Sequence, residues 1–217
     1  MVLVVVPDYH ASERMNRIVL ATHNRNKVVE MKEMLGDIGL EILTVEQFPG
    51  VGEIEETGTT LEENALLKAR TVHRISGVTA LADDTGLEVG YLNNAPGVYS
   101  SRYAGEGATY ALNCRKLLAA MQGVPERRRG ARFRCVLALV GDGKEEIVEG
   151  VVHGSIVEVQ RGTNGFGYDP VFMPRESTRT MAQMDTPTKN RISHRGRAIR
   201  LMRDLLRARM AGATDKT

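Results

Sequence analysis

Residues 81–89 read Leu-Ala-Asp-Asp-Thr-Gly-Leu-Glu-Val, an apolar and strand-like run that two adjacent carboxylates interrupt. The Thr-Gly step directly after Asp83 and Asp84 favours a sharp turn that presents a carboxylate at the end of a strand. A carboxylate in such a position can hold a metal ion or orient a water molecule. Asp and Gly also cluster in ordinary surface turns, and this stretch alone does not distinguish a surface turn from a site.

The composition is that of an ordinary globular protein with one core, or with two lobes that share a sheet. Of 217 residues, 42% are hydrophobic and 26% are charged, and the net charge of only +2 argues against a nucleic-acid partner. The two cysteines show neither a zinc-site spacing nor a disulfide framework, so we expect a cytoplasmic location. The apolar start is too short for a signal peptide and no apolar stretch could span a bilayer, so we expect no membrane association.

Hydrophobic periodicity and turn residues predict an α/β fold in which strands and helices alternate. Predicted strands cover residues 18–21, 41–44, 87–92, 131–140, 146–159 and 171–173, with a break of the fifth at Gly150 or Gly154. Predicted helices cover residues 27–35, 60–76, 108–121 and 197–210, and residues 175–189 are predicted to be a polar loop. Residues 1–16 are treated as an extension of unknown role, 17–211 as a single domain and 212–217 as a C-terminal tail.

Polar residues follow the first predicted strand and precede the first predicted helix. Thr22, Asn24 and Lys27 would lie at the positive end of the helix dipole, where backbone N–H groups can bind phosphate. The loop lacks the glycine spacing of a P-loop, so plain helix capping by an Asn is the competing interpretation.

Two charged residues have both a structural and a functional interpretation. Glu56 belongs to a Gly- and Glu-rich loop that could be a solvated surface or part of a metal site. Lys68 lies close to the apolar stripe of the second helix, whose capping box begins at Thr60. A Lys in that position could cover apolar surface or enter a site.

The stretch 162–170 combines glycine with aromatic residues. Three Gly within six residues let the backbone approach a ligand closely, and Phe166 and Tyr168 offer flat faces that suit a nucleobase. A Gly-rich hairpin would use similar residues. The polar quartet Ser193-His194-Arg195-Gly196 stands at the beginning of the last predicted helix.

In an open α/β sheet, polar stretches at the ends of strands converge on one crevice. Here they supply cations for phosphate, hard carboxylate oxygens for magnesium and an aromatic-glycine loop for a base. These are the groups that a nucleoside triphosphate requires. No Ser or Cys stands in a nucleophile elbow, so attack by water is the simplest route to hydrolysis.

Seven blocks, in register from about Ile18 to Leu206, keep the order and spacing of a known family. They are Thr22-x-Asn24-x-x-Lys27, Glu55-Glu56-Thr57-Gly58, Glu63-Asn64-Ala65-x-x-Lys68-Ala69, Ala82-Asp83-Asp84-Thr85-Gly86-Leu87, Ala95-Pro96-Gly97-Val98-Tyr99-Ser100-x-Arg102-Tyr103, Gly165-Phe166-Gly167-Tyr168-Asp169-Pro170 and Ser193-His194-Arg195-Gly196. One block would be weak evidence, but seven in order are specific. The chain resembles the inosine triphosphate pyrophosphatase family.

The resemblance implies an elongated, two-lobed α/β fold around a long mixed sheet, with the active cleft between the lobes and usually a homodimer. It implies hydrolysis of ITP, dITP and XTP to the monophosphate and pyrophosphate, with Mg²⁺ as cofactor, which removes deaminated purines from the nucleotide pool. It makes Asp84 the catalytic proton acceptor and a metal ligand, and Glu56 a second metal-side carboxylate. The substrate-binding residues that it implies are Thr22, Asn24, Lys27, Lys68, Thr85, Phe166, Gly167, Tyr168, Asp169, Lys189, His194 and Arg195.

Adjacent residues of an extended strand point to opposite faces, so we expect Asp84 to face the site and Asp83 to support it. Two positions depart from the family pattern. His23 stands where Gly is common, and a side chain there would hinder close approach of phosphate to the backbone. Thr85 stands where Ser is common and keeps the hydroxyl.

Two alternatives remain open. A related pyrophosphatase could act on pyrimidine nucleotides, and a substrate panel separates that activity from the first. The Arg127–Arg129 run and the Arg-rich last helix could instead belong to a nucleotide- or RNA-binding module without catalysis. Such a module predicts salt-dependent RNA affinity and no turnover.

Overall fold

The structure, a computed structural model, describes residues 16–212, which form one mixed sheet with helices on both faces. The strands are β1 (Arg17–Leu20), β2 (Glu41–Thr44), β3 (Ala80–Val89), β4 (Pro96–Gly97), β5 (Gly130–Gly141), β6 (Lys144–Ile156) and β7 (Phe172–Pro174). The helices are α1 (Arg25–Leu35), α2 (Leu61–Ser76), α3 (Tyr110–Ala120), α4 (Thr186–Ile192) and α5 (His194–Gly212). The strand order is β2-β1-β3-β5-β6-β7, with β4 beside β3. β1 is parallel to β2 and β3, and the other pairs are antiparallel.

Three long strands carry the chain through two lobes: β3, β5 and β6 have 10, 12 and 13 residues. In the first lobe, neighbouring residues of β3 face different helices. Ala82 belongs to the core cluster with α2, whereas Leu81 belongs to the cluster with α1 and α5. In the second lobe, Leu87 shares a cluster with Leu117 of α3 and Phe172 of β7. The predicted two-lobed α/β fold around a long mixed sheet is confirmed.

The helix boundaries follow local sequence signals. Asn24 caps α1, because its side-chain oxygen accepts hydrogen bonds from backbone N–H groups of the second and third helical residues at 3.1 and 3.4 Å. Thr60 and Glu63 form the predicted capping box of α2. That helix ends at Gly77, whose φ of 68° is left-handed. The predicted start and end of α2 are therefore confirmed.

The predicted turn after Asp84 is wrong. β3 continues without interruption through residues 83–86, which pair in register with β5. Glycine is required at position 86 because β4 comes close, and not because the chain turns. A Cβ on Gly86 would lie only 2.8 Å from the carbonyl oxygen of Gly97 in β4. The two carboxylates therefore project from the middle of a central strand, and not from its end.

The predicted break in the strand after β5 is also wrong. β6 is a single strand, and its two glycines are places where another backbone comes close. A Cβ on Gly150 would overlap the carbonyl oxygen of His194 and the backbone nitrogen of Ala198, both in α5. A Cβ on Gly154 would overlap the carbonyl oxygen of Met173 in β7. These glycines fix where α5 and β7 meet the sheet.

The predicted polar loop at 175–189 is partly wrong, because α4 begins inside it. The side chain of Asp185 accepts a hydrogen bond from the backbone N–H of Thr188 at 2.9 Å and so caps the helix. Pro187 occupies the first turn, where its missing N–H is not needed. α4 carries Lys189, one of the predicted substrate-binding residues, into the buried part of the molecule.

The arginine run at 127–129 is only in part a solvated surface. Arg129 is buried and donates hydrogen bonds to the backbone carbonyls of Ile156 and Val157 at 2.6 and 2.9 Å. Arg128 lies over the ring of Tyr91, with its guanidinium carbon 4.7 Å from the centroid. Two of the three arginines therefore have structural contacts within the protein.

The predicted extension and tail, residues 1–16 and 212–217, lie outside the described residues except for Asn16 and Gly212. The carbonyl oxygen of Asn16 accepts a hydrogen bond from the backbone N–H of Glu41 at 2.8 Å, at the start of the β1–β2 pair. Among residues 16–212, no helix is both long enough and apolar enough to cross a lipid bilayer.

Gly150→Ala tests the close approach of α5 to β6. The added methyl would overlap backbone atoms that cannot rotate away, so we expect the free energy of unfolding to fall by about 2 kcal/mol or more. Gly130→Ala in β5 is the matched control, because a Cβ there meets no atom within 4 Å. We expect the control to stay within about 0.5 kcal/mol of the unsubstituted protein in urea unfolding. Equal stability of the two variants would contradict the packing argument.

Candidate active site

A cleft between the lobes brings most of the predicted polar residues together. It holds about 750 Å³ of space outside protein atoms, part of which is open to solvent. Its walls come from the start of α1, the middle of β3, the start of α3, the glycine-aromatic loop (residues 162–170) and the start of α5. The lining residues are Asn24, Lys27, Glu56, Asp84, Thr85, Val98, Ser100, Ser101, Tyr110, Asn113, Phe133, Phe166, Gly167, Tyr168, Asp169, Lys189, His194 and Arg195.

Asp83 and Asp84 project to opposite faces of β3, as the period of a strand requires. On one face, an oxygen of Asp84 accepts a hydrogen bond from Lys68 Nζ at 2.8 Å. On the other face, Asp83 Oδ2 lies 3.0 Å from Lys27 Nζ and 3.1 Å from Arg195 Nη2. One strand thus supplies a carboxylate to each of two charge clusters.

In the first cluster, Lys68 bridges two carboxylates. Its ammonium also donates to Glu56 Oε1 at 2.6 Å. Burial raises the pKa of Asp84 to about 6, with Lys68 acting against this rise and the negative charge of Glu56 adding to it. For Glu56, burial again opposes ionisation, but the attraction of Lys68 outweighs it and lowers the pKa. In this pair, Glu56 therefore stays ionised, whereas the proton affinity of Asp84 is raised.

The second cluster is a buried network built around Glu30 of α1. Its two oxygens accept hydrogen bonds from Lys189 Nζ at 2.8 Å and from Arg195 Nη1 at 2.7 Å. Lys189 also donates to Asp169 Oδ2 at 2.7 Å. Burial opposes the charge of Glu30, but the two cations outweigh it and lower its pKa, whereas burial prevails at Asp169 and raises its pKa. The network ties α1, α4 and α5 to the glycine-aromatic loop.

The glycine-aromatic loop holds one ring against this network. Gly165 and Gly167 have φ values of 73° and 65°, which a residue with a side chain rarely adopts. The carboxylate of Asp169 accepts a hydrogen bond from the backbone N–H of Phe166 at 2.9 Å. Lys189 Nζ lies 4.6 Å from the centroid of the Phe166 ring, within the range of a cation–π contact. The loop therefore presents a half-buried aromatic face to the cleft.

His194, the first residue of α5, stacks on Phe133 with ring centroids 4.4 Å apart and planes at 12°. It is 3% exposed, and within residues 16–212 neither of its ring nitrogens has a hydrogen-bond partner. Burial, with the neighbouring Arg195 and Lys189 cations, lowers its pKa well below the ordinary value, so the ring is neutral. A neutral imidazole at the cleft can donate one hydrogen bond and accept one.

At the start of α1, Asn24 and Lys27 line the cleft but Thr22 does not. The Thr22 hydroxyl instead accepts a hydrogen bond from the backbone N–H of Asn24 at 3.2 Å. His23, which stands where the family commonly has Gly, lies 3.1 Å from the carbonyl oxygen of Gly52 through its Nε2 and is not a lining residue. Its side chain therefore leaves the cleft side of the loop open.

The sequence matches a known protein family over most of its length. The model of the Ham1 family matches residues 18–205. The chain belongs to the Ham1 family. It is 47% identical over 193 residues to a dITP/XTP pyrophosphatase of Bacillus licheniformis. The alignment covers 88% of this chain and 98% of that protein. It is 50% identical over 195 residues to a dITP/XTP pyrophosphatase of Nitratidesulfovibrio vulgaris, with coverage of 87% and 94%.

Solved structures of Ham1 proteins share the fold. The structure of a HAM1 protein from Coxiella burnetii superposes with a TM-score of 0.81 at 45% identity, over 88% of this chain and 98% of that one. The Staphylococcus aureus Ham1 protein gives a TM-score of 0.80 at 38% identity, with the same coverage. The long mixed sheet and the two lobes are thus features that this chain shares with solved members of the Ham1 family.

Of the site residues predicted for this Ham1-family chain, all but Thr22 and Lys68 line the cleft, and Lys68 contacts it through Asp84 and Glu56. Sequence reasoning missed several others. Glu30 lies one helical turn after Lys27, a spacing that could have indicated it. Tyr110 and Phe133 gave no signal, because each comes to the cleft from a distant part of the chain. The structure also places Ser100, Ser101, Val98 and Asn113 at the cleft.

The donor set at the cleft fits a magnesium ion that a substrate helps to bind. Glu56 and Asp84 offer hard carboxylate oxygens on the same wall. In nucleotide sites, Mg²⁺ commonly uses one or two carboxylates together with phosphate oxygens and water. Within residues 16–212 there is no group of three or more His, Cys, Asp or Glu side chains able to hold a metal ion. The two carboxylates therefore suit an ion that completes its coordination with substrate.

Glu30→Gln tests the buried network. Removal of this negative charge leaves Lys189 and Arg195 with less compensation, so we expect the free energy of unfolding to fall by about 3 kcal/mol at pH 7. Because the pKa of Glu30 is lowered from its ordinary value of 4.5, its contribution is present above that pH and is lost as the pH falls through the lowered pKa. The difference between the two proteins should therefore shrink in acid.

Glu33→Gln is the matched control for Glu30→Gln, because Glu33 is exposed on the same helix. Its carboxylate accepts one hydrogen bond from Asn190 at 3.1 Å. We expect a change of about 0.5 kcal/mol or less. Denaturant unfolding at pH 7 and in acid compares the three proteins, and a pH-independent difference for Glu30→Gln would contradict the charge argument.

Proposed function

We propose that this chain is a nucleoside triphosphate pyrophosphatase that hydrolyses ITP, dITP and XTP to the monophosphate and pyrophosphate. The observation that carries the proposal is the cleft itself. A carboxylate pair bridged by Lys68 lies on one wall. The neutral His194, whose ring nitrogens have no partner within residues 16–212, lines the same space as Phe166. Relatives at about half identity are named dITP/XTP pyrophosphatases.

The triphosphate would bind where α1 begins. Asn24 and Lys27 line this part of the cleft, next to the Asp84 wall. The N-terminus of α1 adds the positive end of a helix dipole. Lys68 would partly neutralise the negative charge of Glu56 and Asp84. Thr22 would fix the loop through its contact with Asn24. Because phosphoryl transfer depends mainly on positioning and charge, this arrangement suits the reaction.

Asp84 would accept the proton of the attacking water. Without a metal ion, burial raises its pKa to about 6, so it is mostly ionised at neutral pH, and the charge of a bound divalent ion would favour the ionised form further. Glu56 and Asp84 would hold Mg²⁺, which supplies charge neutralisation for the phosphate oxygens when it is bound. Lys68 keeps the two carboxylates together at 2.6 and 2.8 Å from one ammonium.

Asp83 would have a supporting role. It is 1% exposed, and burial opposes its ionisation, but Lys27 and Arg195 hold its pKa well below the usual range. It therefore stays charged and orients both cations. The Thr85 hydroxyl joins the same group, since it lies 3.2 Å from Asp83 Oδ2 and accepts a hydrogen bond from Arg195 at 3.2 Å.

The base would lie between the glycine-aromatic loop and the start of α5. Phe166 offers a flat face, and Gly167, Tyr168 and Asp169 complete this wall of the cleft. His194, Arg195 and Lys189 would read the oxygen at the six-position of the purine. Hydrogen-bond donors pair with a keto oxygen and leave the amino group of adenine without a partner, which discriminates against ATP.

Three further parts of the proposal come from the family resemblance. They are a homodimer, a cytoplasmic location and a single catalytic domain over residues 17–211. The choice of Mg²⁺ among divalent ions also belongs here, supported by the all-oxygen donor set of Glu56 and Asp84.

Product analysis with Asp84→Asn tests the reaction. The protein is given ITP, XTP, ATP, GTP and a pyrimidine triphosphate with Mg²⁺, and products are separated by ion-exchange chromatography. We expect pyrophosphate and monophosphate from ITP and XTP, much less from the other substrates, and no turnover with a chelator. The amino group of adenine explains the low turnover of ATP, whereas that of GTP, which has the same keto oxygen, is expected from the family resemblance. Loss of the proton acceptor should reduce kcat by about 100- to 10,000-fold.

Asp142→Asn is the control for charge removal, because Asp142 is an exposed aspartate with its side chain 67% accessible. Its kcat should equal that of the unsubstituted protein. Release of orthophosphate, or full activity of Asp84→Asn, would refute the proposed mechanism. Faster turnover of the pyrimidine nucleotide would instead indicate a pyrophosphatase that acts on pyrimidine nucleotides. RNA binding without turnover would favour a binding module.

His194→Phe tests base recognition. A Phe ring can keep the stack on Phe133, and it removes two buried nitrogens that have no partner within residues 16–212, so we expect no loss of thermal stability. If His194 reads the base, the preference for ITP over ATP in kcat/KM should fall by about 3- to 10-fold. An unchanged preference in a stable variant would remove His194 from base recognition.

A further inference from the structure

Tyr110 connects the two ends of the cleft. It is the first residue of α3, and its hydroxyl accepts a hydrogen bond from Asn24 Nδ2 at 3.0 Å. Its ring centroid lies 5.9 Å from that of Phe166, with the planes tilted by 42°. Tyr110 is 42% exposed and lines the cleft. One side chain therefore touches both the residue that caps α1 and the ring of the glycine-aromatic loop.

Other hydrogen bonds fix both partners of the Asn24–Tyr110 hydrogen bond in place. The side-chain oxygen of Asn24 already caps α1, which leaves its NH₂ group to face Tyr110. In α3, Asn113 donates to the carbonyl of Ser101 at 3.0 Å and accepts from the N–H of Ala104 at 2.7 Å. These contacts fix the start of α3 to the preceding loop. The Asn24–Tyr110 bond thus joins a helix of the first lobe to a helix of the second lobe.

We propose that Tyr110 is the sugar-facing residue of the cleft and positions the nucleoside part of the substrate. The inference rests on the proposed function. If the phosphates lie at α1 and the base lies at Phe166, a side chain that contacts both Asn24 and Phe166 stands beside the part of the substrate between them. Within residues 16–212, the hydroxyl hydrogen of Tyr110 has no acceptor, so it can donate to a sugar oxygen while Asn24 holds its oxygen.

The contacts of Tyr110 indicate a role in binding and not in the chemical step. They are to binding groups, Asn24 and Phe166, and not to the carboxylates Glu56 and Asp84. Tyr110 is therefore a positioning residue, whose loss weakens binding of the nucleoside and leaves the chemical step nearly intact. Its partial exposure means that substitution removes little buried surface, so variants should fold.

Steady-state kinetics with ITP test the proposal in Tyr110→Phe and Tyr110→Leu. Loss of the hydroxyl should raise KM about 3- to 10-fold, and loss of the ring should raise it further, with kcat within about twofold. Competitive inhibition separates the two ends of the cleft. The inhibition constant of IMP, which contains the sugar, should rise with KM, whereas that of inorganic pyrophosphate should not change. An equal rise for pyrophosphate would place Tyr110 at the phosphates and overturn the assignment.

A binding measurement makes the result independent of turnover. The chain has no Trp, so Tyr110→Trp creates a single tryptophan at the cleft, which can be excited selectively over the remaining tyrosines. Tyr91→Trp is the matched control, because Tyr91 is 41% exposed and is not a lining residue. IMP should change the emission of Tyr110→Trp in a saturable way and leave Tyr91→Trp unchanged.

The two experiments distinguish the possible failures. If the unsubstituted protein does not hydrolyse ITP but IMP still changes the emission of Tyr110→Trp, the proposed function fails and the placement of Tyr110 at a nucleotide stands. If ITP is hydrolysed but Tyr110→Phe has an unchanged KM and a lowered melting temperature, Tyr110 is only a contact between the lobes. That result would overturn the inference.

Discussion

Two adjacent aspartates in the middle of a buried strand impose the constraint on which the rest of the structure depends. Asp83 and Asp84 face opposite sides of β3, and within residues 16–212 no cation forms an ion pair with both. A buried carboxylate without a cation is unfavourable by several kcal/mol, on the order of the cost of breaking a buried ion pair. Each face of the sheet therefore has to supply its own cations: Lys68 from α2 on one side, and Lys27 and Arg195 from α1 and α5 on the other.

This constraint links the charge networks to the fold. α1 carries Lys27 and Glu30 one turn apart, so the same helix neutralises Asp83 and also binds the cations of α4 and α5. The helices around the cleft are fixed by ion pairs in addition to apolar packing. A consequence is that Lys27, proposed to bind phosphate, belongs to the same connected set of ion pairs as Lys189 and Arg195, which are proposed to read the base.

Much of the fold could be predicted from local signals, because they depend on neighbours in sequence. Asn24 and Thr60 start helices, and Gly77 ends one, for reasons that lie within four residues. The strand glycines could not be interpreted this way. Gly86, Gly150 and Gly154 mark places where a distant backbone comes close, and the sequence cannot distinguish such a position from a turn. The same limit applies to the cleft: the motif residues were found, whereas Tyr110 was missed because its partners are far away in the chain.

The uninterrupted course of β3 separates the site into parts of unequal rigidity. The backbone of Asp84 pairs with Val136 of the long strand β5. Because β5 is one of the long central strands, we expect this pairing to open rarely. Residues 162–165 of the glycine-aromatic loop are exposed and lie outside every helix and strand, so they can open locally at a lower free energy. The carboxylate proposed to accept the proton thus keeps a fixed position while the loop beside the proposed base site can adjust, so entry and release of a nucleotide need not disturb Asp84.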